Sequence, residues 1–261
     1  MRQYSNAYIV GFATAICLIC SIVVSTSAVA LRDRQEHNKL LDRQTKVLVV
    51  AGVLEEGESE SPEQIAELFK KYIRTRVVNL ATGEYDDSVD PATYDQRKAA
   101  KDPELSETAP PNNAGLTRLP ERALVYQRMD DGEIESLILP IEGKGLWSTL
   151  YGFIALAPDT RTIKGITFYE HGETPGLGGE VDNPNWKALW VGRKAYDSDW
   201  QPAIEVIKGK AGPPAEDPYR VDGLSGSTLT SRGVTHLVQF WLGENGFEPY
   251  LERMRSGESS S

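Results

Sequence analysis

The sequence predicts an α+β body behind a single N-terminal membrane-spanning helix. Three observations carry that prediction. The first is an uncharged run of 24 residues from Tyr8 to Leu31. The second is a pair of β-rich hairpin patterns between residues 123 and 170. The third is a closing segment in which Val234, Leu237, Val238 and Trp241 fall on one helical stripe. Strands that are grouped ahead of the last helix, rather than alternating with helices, point to an antiparallel sheet.

At about 1.5 Å per residue, the run "YIVGFATAICLICSIVVSTSAVAL" exceeds the roughly 30 Å of a bilayer core. Arg2 precedes it, and Arg32, Asp33 and Arg34 follow. Its length favours an uncleaved anchor over a secretory signal, whose apolar core is about 7 to 15 residues, although Ala28-Val29-Ala30 has the form of a cleavage site. Orientation stays open at this point. Arg32, Arg34, Lys39, Arg43 and Lys46 all follow the span, so a positive-inside count puts the body in the cytoplasm; the signal-like layout puts it outside.

From Leu31 to Val50 the chain is charged and then apolar, the pattern of a stalk helix that continues from the span. Ser61-Pro62-Glu63-Gln64 is a capping box with proline at the first helical position, and Ile65, Leu68, Phe69 and Tyr72 follow at amphipathic spacing. Residues 86–121 are polar and proline-bearing, and read as a mobile insertion or long loop with no chemistry of its own. Next, "ALVYQRM" and "IESLILPI" flank the turn Asp130-Asp131-Gly132, and "LYGFIALA" and "IKGITFYE" flank "PDTRT". A short strand is expected from Ile204 to Lys208, and the closing helix should stop at Gly243 or Gly246. The expected domains are an anchor at 1–31, a stalk and amphipathic helix at 32–85, the insertion at 86–121 and the body at 122–255.

Composition narrows the function. A net charge of −10 lacks the basic face that nucleic acid requires. Both cysteines, Cys17 and Cys20, lie inside the span, where a CxxC reads as two small apolar residues. His37, His171 and His236 share no ligand spacing, so no metal site is expected. The phosphate-loop, nucleophile-elbow and dinucleotide patterns are missing, and no catalytic residue is expected.

Glycine and hydroxyl density marks two segments instead. In "HGETPGLGG", Gly172, Gly176, Gly178 and Gly179 let backbone approach a planar ligand, or simply make a wide connection. In "VDGLSGSTLTSRG", residues 221–233, the hydroxyls precede a helix whose free N–H groups attract phosphate, or else they cap that helix redundantly. Together they suit a ligand with a flat ring and a phosphate. "GKGLWSTLYG", with Trp147 and Tyr151, is a third glycine-flanked patch, or a β-bulge with core aromatics.

Across the span, "NKLLDRQTKVLVVAG", "GKGLWSTLYG", "HGETPGLGGEVDNP" and "DGLSGSTLTSRGV", the chain resembles the C-type subunits of the sodium-translocating NADH:quinone reductase, within the FMN-binding-domain family. The resemblance implies an extracytoplasmic FMN-binding domain with an antiparallel sheet and flanking helices. It also implies FMN joined covalently through its phosphate to Thr228, the last residue of Ser225-Gly226-Ser227-Thr228, by a flavin transferase that recognises Asp222. Ser227 stands where the family has alanine, which adds a rival hydroxyl. The resemblance places Glu173, Thr174, Leu177, Gly178 and Trp147 near the flavin ring.

It further implies an electron-relay subunit of an inner-membrane complex that couples NADH oxidation by quinone, of the ubiquinone class, to sodium export. The N-terminus would be cytoplasmic and the flavin domain periplasmic, with the other subunits as partners; the missing dinucleotide pattern leads to the expectation of no NADH oxidation by this chain alone. Two rivals are the G-type subunit of the related ferredoxin-linked complex and a membrane-tethered binding module without cofactor. The stalk and the "GKGLWS" stretch favour the C type over the G type.

Overall fold

The structure is a computed structural model in which residues 5–58 and 60–257 are described. Arg2, the basic residue expected ahead of the span, lies outside them. Chain packing divides into one unit ending at Arg43 and a second from Gln44 onward. The first holds most of helix α1 (Asn6–Val50), including a stretch, Asn6–Arg32, that is long and apolar enough to cross a membrane. Its 27 residues give about 40 Å of helix. Ile9, Phe12, Ile16, Ile19 and Val23 are all exposed, the all-round apolar surface of a helix suited to lipid. Cys17 and Cys20 are exposed on the same helix as free thiols.

In the second unit, α2 (Pro62–Tyr72) starts as the sequence predicts. Ser61 Oγ accepts the Gln64 N–H at 3.3 Å and Gln64 Oε1 accepts the Ser61 N–H at 3.0 Å. The chain passes directly into β1 (Ile73–Asn79), an outer strand hidden from sequence reading because no turn residue separates it from the helix. Strands β4 (Arg122–Asp130), β5 (Glu133–Lys144), β6 (Thr149–Leu156) and β7 (Ile163–Glu170) form the two expected hairpins. Asp131 and Gly132 turn the first with φ of 47° and 89°, the two left-handed residues of a type I′ turn. The sheet is antiparallel throughout, in the order β1-β4-β5-β6-β7.

One face of this sheet packs against α5 (Thr228–Leu242), with Leu139 and Ile141 of β5 in the same core as Val234, Leu237 and Trp241. Trp241 Nε1 donates to the Glu142 carbonyl at 2.7 Å, fixing the helix across the strand. Helix α6 (Glu248–Ser256) adds Tyr250 and Leu251 to that core. On the other face Ile138, Phe153 and Ala155 are buried. There Phe69 of α2 meets Tyr126 edge-on at 6.1 Å, and Arg128 Nη1 donates to the Ala51 carbonyl at 2.7 Å.

Two expectations change. Val47 and Leu48, assigned to a stalk, are 1% and 0% exposed core residues of the second unit, and each such burial contributes about 1.5–3 kcal/mol. Residues 86–121 are not a featureless loop. They hold α3 (Gln96–Ala99) and the two-stranded β2 (Ser106–Thr108) and β3 (Arg118–Pro120), with Ala99, Ala114 and Leu119 buried. A polar chain can pack this way because short side chains satisfy its backbone: Asp95 caps Arg97 and Lys98, and Asn112 bonds the Leu116 N–H and two carbonyls. The remaining short elements are α4 (Pro184–Ala188) and the parallel pair β8 (Glu205–Val206) and β9 (Arg220–Val221).

Candidate flavin site

The three glycine-bearing segments meet at the start of α5, and Glu173 is where they join. It is 5% exposed. Its Oε1 accepts the N–H groups of Trp147 at 2.9 Å and Ser148 at 3.1 Å, and its Oε2 accepts the Leu146 N–H at 3.3 Å. Thr230 Oγ1 donates to Oε2 at 2.7 Å. Burial alone would raise the carboxyl's pKa; the Thr230 hydroxyl and the three N–H groups outweigh it and hold the pKa below the ordinary value. A carboxylate with its oxygens occupied in this way is a clamp between loops, not a free ligand. The resemblance implies that Glu173 lies near the flavin ring; its carboxylate oxygens are turned onto Thr230 and the 146–148 loop.

The same segment is braced on either side. Ser148 Oγ accepts the Gly172 N–H at 2.7 Å, and the Glu173 N–H donates to His171 Nδ1 at 3.2 Å. That leaves His171 Nε2 to donate to Asp182 Oδ2 at 2.8 Å, and this hydrogen bond raises the imidazole pKa. Gly178 is buried where a Cβ would stand 2.6 Å from Thr230 Oγ1, so the glycine turn lies directly on α5. A Cβ at Gly226 would stand 2.9 Å from Leu177 Cδ2. Thr174, Leu177 at 43% and Trp147 at 70% face outward.

The hydroxyls of "SGSTLTS" divide by helical phase. Ser227, Thr230 and Ser231 are 5%, 0% and 4% exposed, whereas Ser225 and Thr228 are exposed. Ser227 Oγ lies 3.3 Å from Thr230 Oγ1, and Ser231 Oγ accepts the Leu224 N–H at 3.0 Å. None of them caps the helix: α5 starts with no side-chain hydrogen bond to its free N–H groups. Redundant capping is therefore not what the hydroxyls do. Thr228, the first residue of α5, carries a hydroxyl with no hydrogen-bond partner among the described residues. Asp222, a few residues earlier, accepts the Ala211 N–H on Oδ1 at 2.9 Å and the Trp186 indole N–H on its carbonyl at 2.8 Å.

Beside Thr228 opens a cleft of about 910 Å³ lined by Asp222, Ser225 and Gly226 and by the basic residues Lys208, Lys210 and Arg232. Sequence reading missed those cations, and also the inward roles of Thr230 and Ser231. Periodicity held the signal. Thr230 and Ser231 extend the buried stripe of Val234, Leu237 and Val238 back by one turn, and Arg232 follows Thr228 by four on the outer face.

The FMN-binding domain family matches residues 145–243, the stretch that holds both glycine turns and α5. The relatives are more particular. A Pseudomonas aeruginosa protein, named as the C subunit of Na(+)-translocating NADH-quinone reductase, is 48% identical over 261 residues, 99% of each chain. One of the same name from Vibrio anguillarum is 49% identical over 245 residues, 93% of this chain and 92% of that one. The crystal structure of Shewanella oneidensis NqrC superposes with a TM-score of 0.77 at 35% identity, covering 85% of this chain and 99% of that one. The chain belongs to the NqrC family, the C subunits of the Na(+)-translocating NADH-quinone reductase.

Proposed function

We propose that this chain is the FMN-carrying electron-relay subunit of a membrane complex that couples NADH oxidation by quinone, of the ubiquinone class, to sodium export. The FMN is held covalently, through its phosphate, on Thr228. The observation that carries this reading is the exposed, unpartnered Thr228 hydroxyl between neighbours whose hydroxyls are turned inward and bonded. The residues fit the group. A phosphodiester at Thr228 would meet the uncapped first turn of a 15-residue helix, whose free N–H groups favour an anion. The exposed side chains of Leu177, Leu229 and Trp147 offer apolar surface for a flat ring close to that turn.

When bound, FMN supplies one-electron redox chemistry. The chain's own residues hold and orient it. Thr228 fixes the phosphate end, Gly226 and Gly178 allow the turns to close on each other, and the Glu173 clamp sets the loop that carries Trp147. Ser225 and Asp222 belong to the segment that a flavin transferase recognises during maturation. In this reading the span anchors the chain singly in the bacterial inner membrane, the flavin domain is periplasmic, and the other subunits donate and accept the electron. Residues 122–255 carry the flavin chemistry and residues 1–31 the anchor.

The test is peptide mass spectrometry over residues 221–233 of the membrane-expressed chain, made together with its flavin transferase. An FMN increment on Thr228, absent from Thr228→Ala, is the expected result. An increment retained by Thr228→Ala would move the attachment, and a chain without any increment would remove the flavoprotein reading.

A further inference from the structure

The cleft beside Thr228 holds basic side chains that the proposed attachment by itself does not explain. Lys208, Lys210 and Arg232 line it, and His236 lies one further turn along α5. None of the four has an ion-pair or side-chain hydrogen-bond partner among the described residues. Of the cleft's two carboxylates, Glu205 is paired with Arg220 at 3.4 Å, and Asp222, whose Oδ1 accepts the Ala211 N–H, keeps its charge. A chain of net charge −10 thus gathers more cations than carboxylates around one cavity, against its general excess of carboxylates.

The basic loop is also built to stay where it is. The Ile207 N–H donates to the Val221 carbonyl at 2.9 Å, and the Gly223 N–H to the Gly209 carbonyl at 2.9 Å. At Gly223 a Cβ would stand 2.2 Å from the Ile207 carbonyl oxygen, so only glycine lets the two backbones run this close. Asp222 closes the loop's far end through Ala211. These bonds tie residues 207–211 to the segment that leads into Thr228.

We infer that Lys208, Lys210 and Arg232 form a phosphate subsite on the cleft side of Thr228, and that Asp222 is a positioning residue that holds the basic loop there. The inference rests on the reading of Thr228 as the FMN acceptor and assigns the residues that neutralise its phosphate. Arg232, four residues along the same helix face, reaches the phosphate with a planar, permanently charged fork, and the two lysines act as point charges. The Asp222 carboxylate contributes geometry: its oxygen accepts an N–H, which a neutral amide oxygen does as well.

The test uses the full-length chain in detergent, with Thr228→Val to prevent attachment, and the free flavins as probes. FMN and riboflavin differ only in the phosphate, so fluorescence titration with each isolates the subsite. FMN should bind at least tenfold more tightly than riboflavin, and inorganic phosphate should compete with FMN alone. Lys210→Gln with Arg232→Gln should bring FMN to the riboflavin level. Asp222→Ala should lose part of the difference and Asp222→Asn should restore it. Thermal unfolding of each variant checks that the fold survives. Equal binding of the two flavins, or an FMN preference that persists in the Lys210→Gln, Arg232→Gln chain, overturns the inference. Loss of the preference in Asp222→Asn overturns the positioning role. Peptide mass spectrometry decides the attachment site separately, so an FMN increment on Thr228 without any FMN preference would defeat the subsite alone.

Discussion

At the residue scale, Glu173 and Ser227 show how burial separates groups that look alike in sequence. Glu173 accepts four hydrogen bonds at 3.3 Å or less, with a fifth, longer one at 3.4 Å from Ser148 Oγ. Replacing it by alanine leaves the Thr230 hydroxyl and three loop N–H groups without their acceptor. The expected loss is about 2–3 kcal/mol in denaturant unfolding. Because its folded pKa lies below the ordinary carboxylate value, its contribution is fully present above that ordinary value and is lost as pH falls through the folded one. Glu173→Gln should therefore flatten the acid limb of a stability-against-pH curve, and an unchanged acid limb would show that the clamp is not ionised. At Ser227, where the resemblance implies alanine, the hydroxyl is turned inward at 5% exposure. Ser227→Ala should keep the full FMN increment by intact mass and change stability by about 1 kcal/mol or less.

At the scale of elements, the closeness of α5 to the β5–β6 loop is set by a glycine within the helix. A Cβ at Gly233 would stand 2.4 Å from the Lys144 carbonyl oxygen. Alanine ordinarily favours a helix interior over glycine by about 1 kcal/mol. Here the clash should win, so Gly233→Ala is expected to destabilise by about 1–3 kcal/mol and to lower the midpoint in thermal unfolding. A stabilised variant would mean that the helix shifts away at little cost. The same element explains a reading that succeeded: Val234, Leu237, Val238 and Trp241 are all 0% exposed, as the stripe predicts. Sequence reading failed at β1, which follows α2 without a turn residue. Its pairing with β4 depends on a partner more than forty residues away, which no local pattern reports.

For the whole molecule, packing divides at Arg43, and the second unit contains the core, the clamp and the cleft. Residues 44–257 should therefore fold as a soluble protein once the apolar helix is removed, with cooperative thermal unfolding. A cut at residue 50 should do worse, because it deletes Val47 and Leu48 from the core. Losing two such side chains costs several kcal/mol, at about 2–3 each. Comparing the melting of the two truncations checks this, and equal midpoints would return those residues to the stalk.

The sequence by itself determined the span, the capping box of α2, both hairpins and the amphipathic helix, because each is written in contiguous residues with a period or a turn code. Motif resemblance adds the expectation that Thr228 and the glycine turns serve one ligand. Only the tertiary structure decided which hydroxyl is free, that Glu173 is a clamp, and that Lys208 and Lys210 stand beside Arg232. Those facts depend on residues from distant segments meeting around one helix start, and contacts of that kind leave no local trace in the chain.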